Sequence, residues 1–336
     1  MKIFNPLLEQ SHVPVMLDEV INICSSFKNG VFLDCTFGGG GYSKALLKLN
    51  KSTVISLDRD NVVSKIADQI KKKHPKRFYF HQEKFSNLDK SLKNKKIDAA
   101  IFDLGISSLQ LDDFSRGFSF KSKDKLNMSM GLTSLTAEEV INSLDEKKLK
   151  LIIKTFGEET DASLIARNII KVREKKKITK VNELVEIIEK SKKKGFYKKN
   201  ICTKTFQALR IFVNKEISEI IDGIIKATEH LKPGGKLIIV SFHSLEDRII
   251  KFYFSNYSSN KSNPSRYLPH ETNTKSSLFE KYKNKIYTPS LNEKNKNDRS
   301  RSAKLRVATR NQNKFFFPND LKIKFKNFLE IEESHG

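Results

Sequence analysis

The sequence predicts a doubly wound α/β fold, with a largely parallel sheet and helices on both faces, interrupted by an inserted helical domain. Three observations predict it. Short apolar, β-branched runs alternate with segments of helical period through about the first hundred residues. The glycines Gly38 to Gly41 follow the first of those runs. The alternation stops at Asp112, gives way to charged, mostly helical sequence as far as Asn200, and strands return only at Lys236.

Val31 to Cys35 is the first strand, apolar until it meets Asp34 near its end. Behind the glycines, Ala45, Leu46, Leu47 and Leu49 mark a helix. Thr53 to Leu57 is a second β-branched run and ends at Asp58; Val62, Val63, Ile66 and Ile70 give the next helix. Phe78-Tyr79-Phe80 is a third strand candidate, and Ile97 to Leu104 closes the series with Ile101-Phe102-Asp103. Within the helical stretch, Val181, Leu184, Val185 and Ile188 recur at helical spacing. Phe206, Leu209, Val213, Ile217, Ile220, Ile221 and Ile224 share one face of a long amphipathic helix, which leads into the turn Lys232-Pro233-Gly234-Gly235. Lys236 to Phe242 is then a strand, and Lys304 to Thr309 a last one. Between them, Ser255 to about Arg299 is rich in Ser, Asn and Lys and reads as a long surface loop. The expected division is an α/β domain of residues 1–111 and 201–310, a helical domain of residues 112–200, and a basic tail of residues 311–336.

Charge narrows the partners. Lys and Arg total 63 against 39 Asp and Glu, a net charge of +24, which favours polyanionic partners, nucleic acid or an anionic membrane surface. No apolar run approaches the roughly 20 residues that span a bilayer. Met1 to Pro6 lacks the apolar core of a signal peptide, so a cytoplasmic location is expected. Cys24, Cys35 and Cys202 form no CxxC pair and read as reduced, buried thiols; the histidines are scattered, and no metal is expected.

The chemistry starts at the first strand-to-helix junction. Successive glycines remove every Cβ, so a ligand can approach the backbone closely and the turn can take positive φ. Asp58 lies about 20 residues further on, where nucleoside-binding α/β folds place a carboxylate on ribose hydroxyls. Loop and acid together describe an adenosine-type site and leave a nicotinamide dinucleotide and S-adenosylmethionine both open. The glycine spacing departs from the G-x-G-x-x-G of a pyrophosphate cradle, and Asp103 ends the fourth strand at the edge where open sheets bind ligands. Both details favour the methyl donor.

Longer blocks carry a specific resemblance. They are His12-Val13-Pro14-Val15-Met16-Leu17-Asp18-Glu19, Thr36 to Gly41, Asp58-Arg59-Asp60, Phe102 to Asp112 and Arg116-Gly117-Phe118-Ser119-Phe120. The second half adds Thr205 to Ile211, Ser241-Phe242-His243-Ser244-Leu245-Glu246-Asp247-Arg248, and Arg299 to Arg306. In this order the chain resembles the bacterial ribosomal RNA small subunit methyltransferase H family, which methylates the exocyclic N4 of a cytidine in the decoding region of 16S rRNA. The resemblance implies a class I, Rossmann-like methyltransferase sheet with an inserted helical domain. It implies S-adenosyl-L-methionine as cofactor and 16S rRNA or the small ribosomal subunit as partner, and it leaves a homodimer open.

Carried over by position, the resemblance implies cofactor contacts at Gly40, Gly41 and Tyr42, with Asp58 on the ribose, Phe85 by the adenine, and Asp103 and Gln110 nearer the methionine end. Some positions depart from the family. Where the family usually reads Leu-Asp-Met-Arg-Met-Asp, this chain has Leu126-Asn127-Met128-Ser129-Met130-Gly131, so one Arg and two carboxylates are absent. Tyr42 stands where His is frequent and Lys204 where Arg is frequent.

The N4 amine of cytosine is a poor nucleophile, because its lone pair is delocalised into the ring. In-line placement of amine and methyl is then the main task, and positioning can lower a barrier by about 7–11 kcal/mol. A carboxylate accepting an N4 hydrogen would take up the developing positive charge, with Asp103 the first candidate and His243 the second. Phe114, Phe118 and Phe120 around Arg116 can stack a base or form an apolar seam. Lys192 to Lys194, Lys198, Lys199, Arg299 and Arg301 are candidate phosphate contacts. The alternatives are an inactive RNA-binding or assembly factor of the same fold, a methyltransferase for another nucleic-acid amine, and, more distantly, a nicotinamide oxidoreductase.

Overall fold

Val31–Asp34 (β1), Thr53–Asp58 (β2), Phe78–Gln82 (β3), Ile97–Asp103 (β4), Leu231–Ser241 (β5) and Lys304–Thr309 (β6) form a six-stranded sheet in the order β3-β2-β1-β4-β5-β6 in the computed structural model. The structure describes residues 14–192, 200–259 and 277–334. Strands β1 to β5 pair in parallel, and β6 lies antiparallel to β5. Parallel strands covered on both faces need apolar side chains throughout, which is why they read as unbroken runs. Val54, Ile55, Leu57, Ala99, Ala100, Ile101, Phe102, Ile238, Ile239 and Val240 are all buried. The strand order turns back at β1, with β2 on one side and β4 on the other. At that reversal, open α/β sheets bind ligands beyond the carboxyl ends of their strands. Asp34, Asp58 and Asp103 each close a strand at this edge.

The sheet belongs to a unit of Met1–Gly105 and Ile220–Lys324. Its helices include Leu17–Cys24 (α1), Gly41–Leu46 (α2), Ser64–Lys73 (α3) and Leu88–Leu92 (α4). Helix α3 buries Ala67 and Ile70 and closes on Lys71, Lys72 and Lys73, where cations suit the carbonyl end of a helix.

A second unit comprises Ile106–Glu219 and Phe325–Gly336. Its helices include Ser108–Asp112 (α5), Ala137–Ser143 (α6), Glu146–Gly157 (α7), Ala162–Arg173 (α8), Val181–Ser191 (α9) and Thr203–Asn214 (α10), with the start of Glu216–His230 (α11). Helix α9 buries Val181, Leu184, Ile187 and Ile188, so Ile187 takes the inward place expected for Val185. Gly157 lets α7 pass close to α10, since a Cβ there would collide with the Lys204 carbonyl.

Four expectations are revised. The long amphipathic helix through Phe206 and Ile224 is two helices, because Lys215 between them is left-handed, with φ 51°. Strand β5 begins before the expected turn: Leu231 pairs with Ile97 and Lys236 with Ala99, so Lys232 to Gly235 form an irregularity inside the strand. The loop expected from Ser255 begins within the last turn of Ser244–Asn256 (α12) and contains Leu291–Lys296 (α13) near its end. The expected basic tail contains Asn319–Lys324 (α14) and Lys326–Glu333 (α15), and Leu321, Phe325 and Glu332 are buried.

Candidate active site

The strand-end acids and the glycine loop meet at the β1 edge. The Asp34 carboxylate is buried and accepts the Ser43 hydroxyl at 2.6 Å and the Thr36 N–H at 3.3 Å. Burial pushes its carboxyl up to about 6 despite those bonds. Asp58 accepts the Gly38 N–H at 2.8 Å and the Asp60 N–H at 2.9 Å, which ties the glycine loop to the end of β2. Burial likewise pushes Asp58 up to about 6.

Within the loop the glycines do different work. Gly40 has φ 73°, and a Cβ on it would press into Ile70 and the Phe37 ring, so both backbone and packing require glycine. Gly39 is exposed, and nothing lies within 4 Å of where its Cβ would stand. Gly41 begins α2.

Asp103 is the most perturbed acid of this edge. Its N–H donates to the Thr36 hydroxyl at 2.7 Å, while its Oδ1 is buried with no hydrogen-bond partner among the described residues. Desolvation raises its carboxyl well above the ordinary range, and Asp34, Glu246 and Glu293 add like-charge repulsion. A cluster of acids in a chain of net charge +24 suits a ligand that carries positive charge. An orphaned buried carboxylate oxygen is costly unless a ligand's donor or cation completes it. These residues fit a cationic nucleoside: Asp58 for ribose hydroxyls, the Gly39 opening for close approach, and Asp103 for the charged end.

Phe85 follows β3, half-buried, with its ring edge-on to Phe102 at 5.5 Å. Gly223 backs it, since a Cβ there would strike the Phe85 ring. A half-exposed ring held in this way can face a flat ligand.

The sequence profile of the MraW methylase family matches residues 9–311. The chain belongs to the MraW methylase family. A relative named ribosomal RNA small subunit methyltransferase H, from Rickettsia africae (strain ESF-5), is 42% identical over 302 residues, covering 89% of this chain and 98% of that protein. One from Rickettsia bellii (strain OSU 85-389) is 41% identical over 304 residues, covering 90% and 99%. A crystal structure of an rRNA methylase from Streptococcus thermophilus overlaps with a TM-score of 0.40 at 12% identity, covering 93% of this chain and 100% of that one. As an MraW methylase with this sheet, the chain uses S-adenosylmethionine as its cofactor.

Three other expected site residues each have a local contact in this MraW-family chain. The Tyr42 side chain is buried, and its hydroxyl donates to the Val15 carbonyl oxygen, so that hydroxyl is committed to the N-terminal turn. Gln110 belongs to the second unit, where its side-chain oxygen accepts the Ser107 N–H at 3.0 Å in a capping box that opens α5. His243 caps α12: its Nδ1 accepts the Glu246 N–H at 3.4 Å, and Glu246 returns a bond from the Phe242 N–H at 2.7 Å. His243 Nε2 lies 3.0 Å from Glu246 Oε1, off the hydrogen-bonding direction of the ring. The Glu three residues after His243 is the sequence signal for this cap.

The expected phosphate contacts need correction at Lys192, which is buried and pairs with buried Glu159 at 2.5 Å. Lys193, Lys194, Lys198 and Lys199 lie outside the described residues, as do His12 and Val13. Arg301 is exposed beside Asp298 at 3.0 Å. Phe118 is buried beneath Arg116, Phe120 meets Phe206 edge-on, and Phe114 is exposed. The variant loop is well anchored: Asn127 Oδ1 accepts the Ser129 N–H, the Ser129 carbonyl accepts from Arg116, and Asn214 bonds both Met128 and Met130. The sequence reading missed Glu293, which has no recognisable motif and reaches the site through the Met16 N–H at 2.7 Å.

The cysteines are buried and unpaired, and burial pushes Cys24 and Cys202 up to about 12. Among the described residues, no helix is long and apolar enough to cross a membrane.

Proposed function

We propose that this chain transfers a methyl group from S-adenosylmethionine to the exocyclic N4 of a cytidine in the decoding region of 16S ribosomal RNA, in the cytoplasm. The observation that carries the reading is Asp103 at the end of β4, a half-buried side chain whose Oδ1 is buried with no hydrogen-bond partner among the described residues, set among Asp34, Glu246 and Glu293. The names of the Rickettsia relatives support the ribosomal acceptor.

Asp58 accepts from the ribose hydroxyls, charge-assisted bonds worth about 1.5–3 kcal/mol each. The backbone from Gly38 to Gly41 borders the methionine end, and Phe85 faces the adenine. Bound there, S-adenosylmethionine supplies an already activated sulfonium methyl. Asp103 accepts an N4 hydrogen of the cytosine, which favours pyramidal nitrogen and takes up its developing positive charge. A cation at the site lowers the Asp103 carboxyl towards its ionised form, the form this role needs. His243 holds the start of α12 in place through Glu246 and is a positioning residue in this scheme. The target base leaves its stack to reach the pocket, at a cost of a few kcal/mol.

Nucleoside mass spectrometry of small-subunit rRNA, from cells with and without the active gene, tests the proposal. N4-methylated cytidine falls when the gene is lost; an unchanged level sinks the reading. RNA affinity without any methyl transfer would instead indicate the assembly-factor alternative.

A further inference from the structure

The turn that leads into α1 has an uncommon backbone. Met16 has φ 57° and ψ 36°, a left-handed conformation that non-glycine residues rarely adopt, and it offers α1 no side-chain cap. Val15 and Met16 are both buried. Such a conformation persists where its surroundings over-determine it, and it gathers at functional sites.

Among the described residues, two side chains hold this turn. The Tyr42 hydroxyl donates to the Val15 carbonyl oxygen, and the Met16 N–H donates to Glu293 Oε1 at 2.7 Å. Tyr42 stands on α2, directly after the glycine loop. Glu293 stands on α13, and its own N–H is capped by the Ser290 hydroxyl at 3.1 Å. Helix α13 buries none of its residues, so the Glu293 contact is not a by-product of core packing. Glu293 also lies close enough to Asp103 and to Tyr42 to act on both electrostatically. The turn, the glycine-loop helix and the β4 acid therefore share one neighbourhood.

We propose that Glu293 is a positioning residue of the methyl-donor site: with Tyr42 it fixes the Val15–Met16 turn beside the Asp34 and Asp103 ends of the sheet. The inference rests on the reading that this edge holds the cofactor. It is independent of which nucleotide is methylated. Glu293 acts through the turn, and losing its grip leaves the Val15–Met16 backbone near Asp103 free to shift.

Titration calorimetry of the full chain with S-adenosylhomocysteine tests this without RNA, so a wrong acceptor leaves the outcome untouched. Glu293→Ala is expected to weaken binding about tenfold, as for one lost bond to a charged group. Glu293→Gln keeps an acceptor oxygen for the Met16 N–H and should stay within about threefold of the parent. Tyr42→Phe keeps the ring and loses only the hydroxyl, and should weaken binding by a similar factor. The double variant should be little weaker than the worse single one, because both changes release the same turn. Parent-like binding by Glu293→Ala, a Gln variant as weak as Ala, or fully additive losses would each overturn the proposal. If Glu293→Ala does not fold, Tyr42→Phe and Glu293→Gln decide: parent-like binding by the first or a tenfold loss in the second overturns it.

Discussion

Glu332 and Ser218 are joined twice, with the Ser218 N–H at 2.8 Å and its hydroxyl at 2.6 Å from the same carboxylate oxygen, while the other oxygen takes the Ile217 N–H at 2.8 Å. The last helix thus satisfies two first-turn N–H groups of α11, which otherwise have no partner within the helix. Glu332→Ala leaves those donors unmet and should destabilise the chain by about 2–4 kcal/mol in denaturant unfolding.

The same carboxylate makes stability depend on pH. Burial pushes Glu332 up to about 7, and its hydrogen bonds offset only part of that rise. An unfolded Glu titrates near about 4.3. Between the two values the folded chain holds a proton that the unfolded chain has released. This contribution is therefore full below the unfolded pKa and is lost as pH rises through 7. Thermal melts from pH 5 to 8 should show the parent gaining on Glu332→Gln as pH falls. A constant difference between the two would show that Glu332 does not titrate in that window.

Cofactor binding should run the other way with pH. Asp58 is pushed up to about 6, and it accepts from ribose hydroxyls best when ionised. S-adenosylhomocysteine affinity should fall as pH drops from 7.5 to 5. Asp58→Asn should weaken binding roughly tenfold or more at the upper pH, as expected for bonds to an ionised acceptor. Asp34 also titrates near 6, so the slope that disappears in Asp58→Asn is the share belonging to Asp58.

What the sequence disclosed follows from how locally each feature is encoded. Strands β1, β2 and β4 are legible because two covered faces demand continuous apolar runs, and Asp34, Asp58 and Asp103 stand out by ending them. The glycine loop is legible because four successive residues without Cβ mark a backbone that turns sharply or meets a ligand closely. Glu293 was not legible, since it meets Met16 across a separation of 277 residues. Glu332 was hidden in the same way, inside a basic tail whose helix is held by Phe325, Phe328 and Phe156. Lys192 misled because a lysine run resembles a solvated face, and only Glu159 at 2.5 Å reveals its buried member.

Asp103 offers a test that separates chemistry from binding. Its Oδ1 has no partner among the described residues, so Asp103→Asn preserves shape while removing the ionised acceptor. Methyl transfer should fall by roughly 10²–10⁴, the usual range for a positioned proton acceptor. S-adenosylhomocysteine binding should change by no more than about tenfold. The parent rate should rise with pH, because the raised Asp103 carboxyl must lose its proton to act. A variant that loses binding and turnover equally would assign Asp103 to the cofactor alone.

Gly39 and Gly40 are adjacent, yet their alanine variants should fail differently. At Gly40 a methyl group meets Ile70 and Phe37 on a backbone with φ 73°, so strain and overpacking act together. Gly40→Ala should cost about 2–4 kcal/mol of stability. At Gly39 nothing stands within 4 Å of the added carbon, and φ is not positive, so stability should stay within about 0.5 kcal/mol of the parent. If the open space belongs to the cofactor, Gly39→Ala should still weaken S-adenosylhomocysteine binding, because the methyl fills the gap through which the ligand approaches the backbone. Melting curves and calorimetry on both variants read the two effects separately. A Gly39→Ala protein that melts and binds like the parent would move the ligand away from this part of the loop.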